Sequence, residues 1–165
     1  MTADKIYLVG FMGAGKTTLG AALASRLGWL LIDVDREIEQ REHRTVADIF
    51  TTSGEPYFRA VERAVVRDLL PVRHAVVATG GGTFVDPESR ALMTVDGRCV
   101  WLDVPLAAAI DRLPADGSRP LAVDRHAFEA LFTARQAAYC QAHLRLDASR
   151  PTPELVECVL EQLDW

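Results

Sequence analysis

Gly10-Phe11-Met12-Gly13-Ala14-Gly15-Lys16-Thr17 matches the pattern G-x-x-x-x-G-K-[ST], and its flanks supply the context that the pattern requires. Ile6 to Val9, just ahead of it, form a short apolar run suited to a buried parallel strand. Behind it, Leu19, Leu23 and Leu27 recur every fourth residue, the stripe of a core-facing helix over Lys16 to Leu27 that Gly28 closes. Glycines at the turn let successive backbone N–H groups point inward at phosphate oxygens, and the helix N-terminus adds partial positive charge there. Lys16 is then placed to reach the β and γ phosphates, and Thr17 to offer a hydroxyl to Mg²⁺. The stretch predicts a site for ATP or GTP.

Outward from this cradle, strands and helices alternate. Trp29 to Ile32 read as a second strand, Asp35 to Glu42 as a helix that breaks near His43, and Thr45 with Asp48 as the cap of another short helix. Glu55 to Leu70 place Phe58, Val61, Val65 and Leu69 on one helical stripe. His74 to Ala78 form a third strand, and Pro87, after Asp86, suits a first helical position. Cys99 to Leu102 form a fourth strand, with a helix beginning at Pro105. After an irregular stretch over residues 113–124 come a helix over Ala127 to Ala142, a strand over His143 to Leu146 and a last helix over Pro153 to Leu163. A loop as long as 113–124 in a compact domain reads as a functional lid or a disordered segment. The alternation predicts one α/β domain over 1–165 with a mainly parallel sheet.

Composition narrows the partners. The chain has 165 residues, 49% of them apolar, enough for a core of its own. Asp and Glu outnumber Lys and Arg by 23 to 18, for a net charge of −5, which argues against nucleic acid or an anionic membrane as the main partner. Only Lys5 and Lys16 are lysines. Cys99, Cys140 and Cys158 are too few and too scattered for a disulfide framework and read as small core residues in a reducing compartment. With no signal-peptide pattern at the start and no apolar run of spanning length, the expectation is a soluble, cytoplasmic protein, a monomer by default.

Three further features could carry chemistry. Asp33 and Asp35 follow the second strand, where ligands gather in open α/β sheets; a spacing of two along extended chain puts both carboxylates on one side. One could hold hydrated Mg²⁺ and the other orient an attacking hydroxyl, or the pair could simply cap a helix. Gly80-Gly81-Gly82 close the third strand, where glycine permits close ligand approach and exposed backbone donors. Arg59, Arg119 and Arg135 lie far apart in sequence, and spacing alone does not bring them together.

Taken in order, GFMGAGKTT at 10–18, LIDVDREIEQREHRTVADIFTTSGEPYFR at 31–59, VVATGGGT at 76–83, SRPL at 118–121 and the helix from Arg135 to Tyr139 make the chain resemble the shikimate kinases, from Ile6 to about Pro153. That resemblance implies a P-loop NTPase fold of the nucleoside-monophosphate-kinase-like group, with a five-stranded parallel sheet flanked by helices and a substrate-binding helical segment over 35–62. It implies transfer of the γ-phosphate of ATP to the 3-hydroxyl of shikimate, in the biosynthesis of chorismate and aromatic amino acids.

By the same resemblance, Asp35 meets the reacting hydroxyl as base, and Asp33 supports Mg²⁺ beside Thr17. Arg59 and Arg135 bind the shikimate carboxylate, and the backbone of Gly80, Gly81 and Gly82 meets the substrate. Lys16 and the lid arginine, Arg119, stabilise charge in transfer. Gly13, Ala14, Gly15, Thr17 and Thr18 cradle the phosphates, Arg112 and Pro153 border adenine, and Phe50 and Phe58 lie near the acceptor ring. The sequence departs from the family after Arg135, where Gln136-Ala137-Ala138 stand in place of a proline-containing segment. The alternative is a kinase for another small hydroxylated acid or sugar, such as gluconate.

Overall fold

Five parallel strands in the order β2-β3-β1-β4-β5 organise the computed structural model, which describes residues 3–112 and 124–162. The strands are β1 (Lys5–Val9), β2 (Leu30–Asp33), β3 (Ala75–Ala78), β4 (Arg98–Asp103) and β5 (Leu144–Asp147). Eight helices are described: α1 (Lys16–Leu27), α2 (Val34–Glu42), α3 (Val46–Ser53), α4 (Glu55–Leu69), α5 (Pro87–Asp96), α6 (Leu106–Asp111), α7 (Arg125–Tyr139) and α8 (Thr152–Gln162). Every residue of β1 and of β3 is buried, as expected of strands covered on both faces. α1 packs on β1, β2 and β3 beside α8, while α5 packs on β4 and α4.

Topology locates the cleft. The connection leaving β1 runs outward to β2, and the one leaving the adjacent β3 crosses to β4 on the opposite side. A crevice opens where two such neighbouring connections diverge, beyond the carboxyl ends of the strands. The Gly10–Thr17 loop and the Gly80–Gly82 loop stand at this point, one after each strand.

Element ends differ from the expectations by local hydrogen bonding. Gly28 is left-handed as expected, but Trp29 N donates to Ala24 O, so Trp29 still belongs to the helix terminus and β2 begins at Leu30. Asp35 lies in the first turn of α2 rather than on extended chain, because Asp33 ends β2 and caps the helix, accepting from Arg36 N at 3.3 Å. Asp124 accepts from both His126 N and Ala127 N, which starts α7 at Arg125 rather than Ala127. Thr45 caps α3 through Asp48 N at 3.1 Å, as its spacing predicts.

Side-chain burial brings other corrections. The inner stripe of α4 is Phe58, Glu62, Val65, Val66 and Leu69, with a fully buried glutamate and Val61 only half-buried. Of the cysteines only Cys99 is core; Cys140 is exposed and Cys158 intermediate, since they sit at helix surface positions. Lys5 is the fully buried lysine. Its Nζ donates to Leu69 O (2.8 Å), Leu70 O (3.1 Å) and Asp96 Oδ2 (2.6 Å), binding the end of α4 and the end of α5 to β1. Among the described residues, no helix is long and apolar enough to cross a membrane.

Candidate active site

Between β1 and β3 lies a cleft of about 960 Å³, lined at its base by Met12 to Leu19. Gly13 and Gly15 have φ of 79° and 93°, conformations that a side chain resists, and they turn the loop into the N-terminus of α1. Lys16 Nζ curls back onto the carbonyls of Gly10 (2.6 Å) and Phe11 (2.9 Å), holding its charge against the loop. Thr17 and Thr18 are exposed in the cleft. Arg112 closes one side by donating from Nη1 to Gly13 O at 2.8 Å.

Asp33 has two tasks. One carboxylate oxygen caps α2, and the other accepts from Thr17 Oγ1 at 3.2 Å, so capping α2 still leaves an oxygen facing the phosphate loop. A hydroxyl and a carboxylate side by side at a phosphate loop fit Mg²⁺, which is held by one or two protein oxygens plus substrate phosphates and water.

The three glycines after β3 explain how distant side chains share one place. None of them has positive φ; what they supply is space. A Cβ on Gly80 would stand 3.0 Å from Asp35 Oδ1, and one on Gly81 would stand 2.8 Å from Arg135 Nη1. On Gly82 it would lie 2.6 Å from the guanidinium carbon of Arg59. Each glycine therefore leaves room for polar side chains, the nearest coming from α2, α7 and α4 in turn. Arg59 and Arg135, two of the three arginines that sequence spacing left apart, meet here, and both line the cleft.

Electrostatics at this wall are asymmetric. Arg135 is 5% exposed, and burial lowers its guanidinium below the ordinary arginine range, with the Tyr139 phenol acting in the opposite sense. Its carbon also sits 5.8 Å from the centroid of the Phe11 ring. Arg59 is held by Glu62 Oε1 at 3.0 Å and by Glu55 at 3.4 Å, and it lies over Phe58. Glu62 spends its other oxygen on Thr83 Oγ1 at 2.9 Å. Sequence reading missed Glu62 and Tyr139. The available signals were a carboxylate on the buried stripe of α4, three residues after Arg59, and a tyrosine one turn after Arg135.

Phe50 and Phe58, with ring centroids 4.8 Å apart, form an apolar wall of the same cleft. At the nucleotide end the wall is Ala148 to Thr152 and Leu155. Pro153 does not line it: as the second residue of α8 it is exposed, one position past the lining segment. Arg119 and the 113–124 loop fall outside the described residues, except for Asp124 at the start of α7.

Comparison with known proteins meets the same chemistry. The shikimate kinase family model matches residues 12–164. A shikimate kinase of Persephonella marina is 41% identical over 149 residues, covering 90% of this chain and 91% of the relative. The structure of the shikimate kinase from Acinetobacter baumannii in complex with shikimate superposes with a TM-score of 0.92 at 34% identity, covering 97% of this chain and 92% of that one. A gluconokinase from Sinorhizobium meliloti, at 18% identity and a TM-score of 0.62, shares the fold alone. With its parallel P-loop sheet and this match over nearly its whole length, the chain belongs to the shikimate kinase family.

Proposed function

We propose that this protein transfers the γ-phosphate of ATP to the 3-hydroxyl of shikimate, with acceptor and nucleotide bound in the one cleft between β1 and β3. The observation that carries the residue roles is the meeting of Asp35, Arg135 and Arg59 at Gly80, Gly81 and Gly82. Two guanidinium forks suit a planar carboxylate, and a carboxylate set apart from them suits a hydroxyl on the far side of a small ring. Gluconate would present a flexible chain to this wall; the apolar Phe50–Phe58 face favours a ring.

In this reading Arg59 and Arg135 fix the acid end, and Asp35 orients the hydroxyl and accepts its proton as its O–P bond forms and the bond from the γ-phosphorus to the β,γ-bridging oxygen breaks, releasing ADP. Lys16 leaves the carbonyls of Gly10 and Phe11 for the transferring phosphoryl group, and the loop N–H groups hold the rest of the phosphate chain. Thr17 and Asp33 would hold Mg²⁺, which supplies charge neutralisation between the phosphates. Residues 35–62 form the acceptor-binding segment, and Arg119 adds positive charge from the 113–124 lid. Arg112 borders the base. Most of the rate enhancement then comes from positioning and charge neutralisation. A monomer in the cytoplasm completes the proposal.

The test offers shikimate, gluconate and other small hydroxy acids with ATP and Mg²⁺ in one ADP-release assay. Turnover with shikimate, and a product phosphorylated at the 3-hydroxyl, is expected. Turnover confined to gluconate or another acid would overturn the assignment.

A further inference from the structure

Tyr139 is the last residue of α7, fully buried, with its ring 5.9 Å from that of Trp101 on β4. Its phenol donates a hydrogen bond to Gly81 O, and Arg135 Nη1 lies against the same glycine, 2.8 Å from where a Cβ on Gly81 would stand. A phenol has one proton and accepting lone pairs. The carbonyl of Gly81 takes the proton, which ties the end of α7 to the loop after β3. The two groups that the acceptor carboxylate would meet at this wall, the Gly81–Gly82 backbone and Arg135, are thus held together by a residue one turn beyond Arg135 on the same helix.

Three observations argue that this contact aims Arg135. Arg135 is 5% exposed, and among the described residues no carboxylate stands within ion-pair distance of it; Arg59 instead has Glu62 and Glu55. The two arginines therefore have different neighbours, Arg59 a buried carboxylate and Arg135 a neutral phenol one helical turn on. A neutral partner leaves the full positive charge of Arg135 for an incoming anion, where a carboxylate would have neutralised part of it. Burial pushes the Tyr139 phenol up to about 12, so it keeps its proton through the physiological range. Trp101 packs against the ring and sets the direction in which the hydroxyl points.

We propose that Tyr139 is a positioning residue for acceptor recognition: by donating to Gly81 O, it docks the end of α7 on the glycine loop and so holds that loop and the buried guanidinium of Arg135 in register for an anionic carboxylate. The proposal rests on the carboxylate-clamp reading above and extends it to a residue that touches neither substrate.

Tyr139→Phe keeps the ring against Trp101 and removes only the hydroxyl. The expected result is a rise of about tenfold in KM for shikimate, the scale of a lost buried hydrogen bond, with kcat and KM for ATP within about twofold. A structural role alone would not follow the charge of the acceptor, so binding of shikimate and of its carboxamide is compared by titration. The penalty should fall on the acid and vanish for the amide.

A double-variant cycle gives the second readout. If Tyr139 acts through Arg135, adding Tyr139→Phe to Arg135→Ala costs little further. Should the phenylalanine variant not accumulate folded, Tyr139→Met, which fills the space flexibly, takes its place. An unchanged acid KM in the Tyr139 variant, or equal penalties for acid and amide, overturns the proposal while leaving the clamp intact. An unchanged acid KM in Arg135→Ala overturns the clamp and this proposal together.

Discussion

Gly82 and Arg59 occupy one space: the guanidinium carbon of Arg59 lies 2.6 Å from where a Cβ on Gly82 would stand, and its Nη2 lies 2.5 Å away. Real side-chain carbons do not tolerate such contacts, so Gly82→Ala must displace Arg59 or the loop. The expected result is a rise in acceptor KM of about tenfold or more, with KM for ATP unchanged. Gly80→Ala should instead act mainly on kcat, since its Cβ meets Asp35 at 3.0 Å. Steady-state kinetics with each substrate varied in turn separates the two.

Glu62 is predicted to matter through Arg59 alone. Its two oxygens are committed to Arg59 Nη1 and Thr83 Oγ1, and it is fully buried. Glu62→Gln keeps the volume but weakens the charge-assisted bond that orients the guanidinium. Acceptor KM should rise by about 3- to 30-fold, with kcat nearly unchanged. An equal effect on KM for ATP would argue against the orienting role.

Lys5 carries a stability prediction with no kinetic counterpart. It lies at the opposite end of β1 from the phosphate loop, and its ammonium satisfies two carbonyls at the end of α4 and the Asp96 carboxylate. Tyr7 also donates to Asp96, at 2.7 Å, so removing the lysine leaves a crowded, largely buried carboxylate with the half-exposed Arg73, at 3.2 Å, as its remaining cation. Lys5→Met should cost about 3–5 kcal/mol in urea unfolding, the range for breaking one partner of a buried pair. Both KM values should stay as in the wild type at 25 °C.

His143 predicts a pH dependence. Its Nδ1 accepts from Cys99 N at 2.9 Å, which requires the unprotonated nitrogen, and burial with Arg98 nearby lowers its pKa below the ordinary 6.5. The unfolded chain therefore binds this proton more readily than the folded one. Its stabilising contribution is complete above about pH 6.5 and is lost as pH falls through the lower folded-state value. The urea midpoint should fall between pH 7.5 and 5.5 more steeply in the wild type than in His143→Asn; parallel curves would contradict this.

Much of the fold was legible because its signals are local. The phosphate loop, the stripe of Leu19 and Leu23, the Thr45 cap and the Pro87 helix start each depend on residues within a few positions of one another. The start of β2 was misplaced because a single backbone bond from Trp29 to Ala24 extends the helix terminus, and composition carries no trace of it.

The cleft was legible in many of the residues that line it and less so in its physics. Gly80 to Gly82 were expected to serve a ligand, whereas their lost side chains also make room for Asp35, Arg135 and Arg59 of this same chain. Such a reason needs three elements brought together, as does the burial of Glu62, which looks like any surface glutamate on α4. Pro153 was placed on the nucleotide wall by resemblance; the start of α8 at Thr152 leaves it exposed just beyond.

The claim on which the account turns is that Arg59 grips the acid end of the acceptor while ATP binds elsewhere in the cleft. KM for shikimate in Arg59→Ala, measured at saturating ATP, tests it directly. The account predicts a rise of about 10- to 100-fold with KM for ATP within about twofold of wild type. An unchanged KM for shikimate, in a folded variant that still turns over, would contradict it.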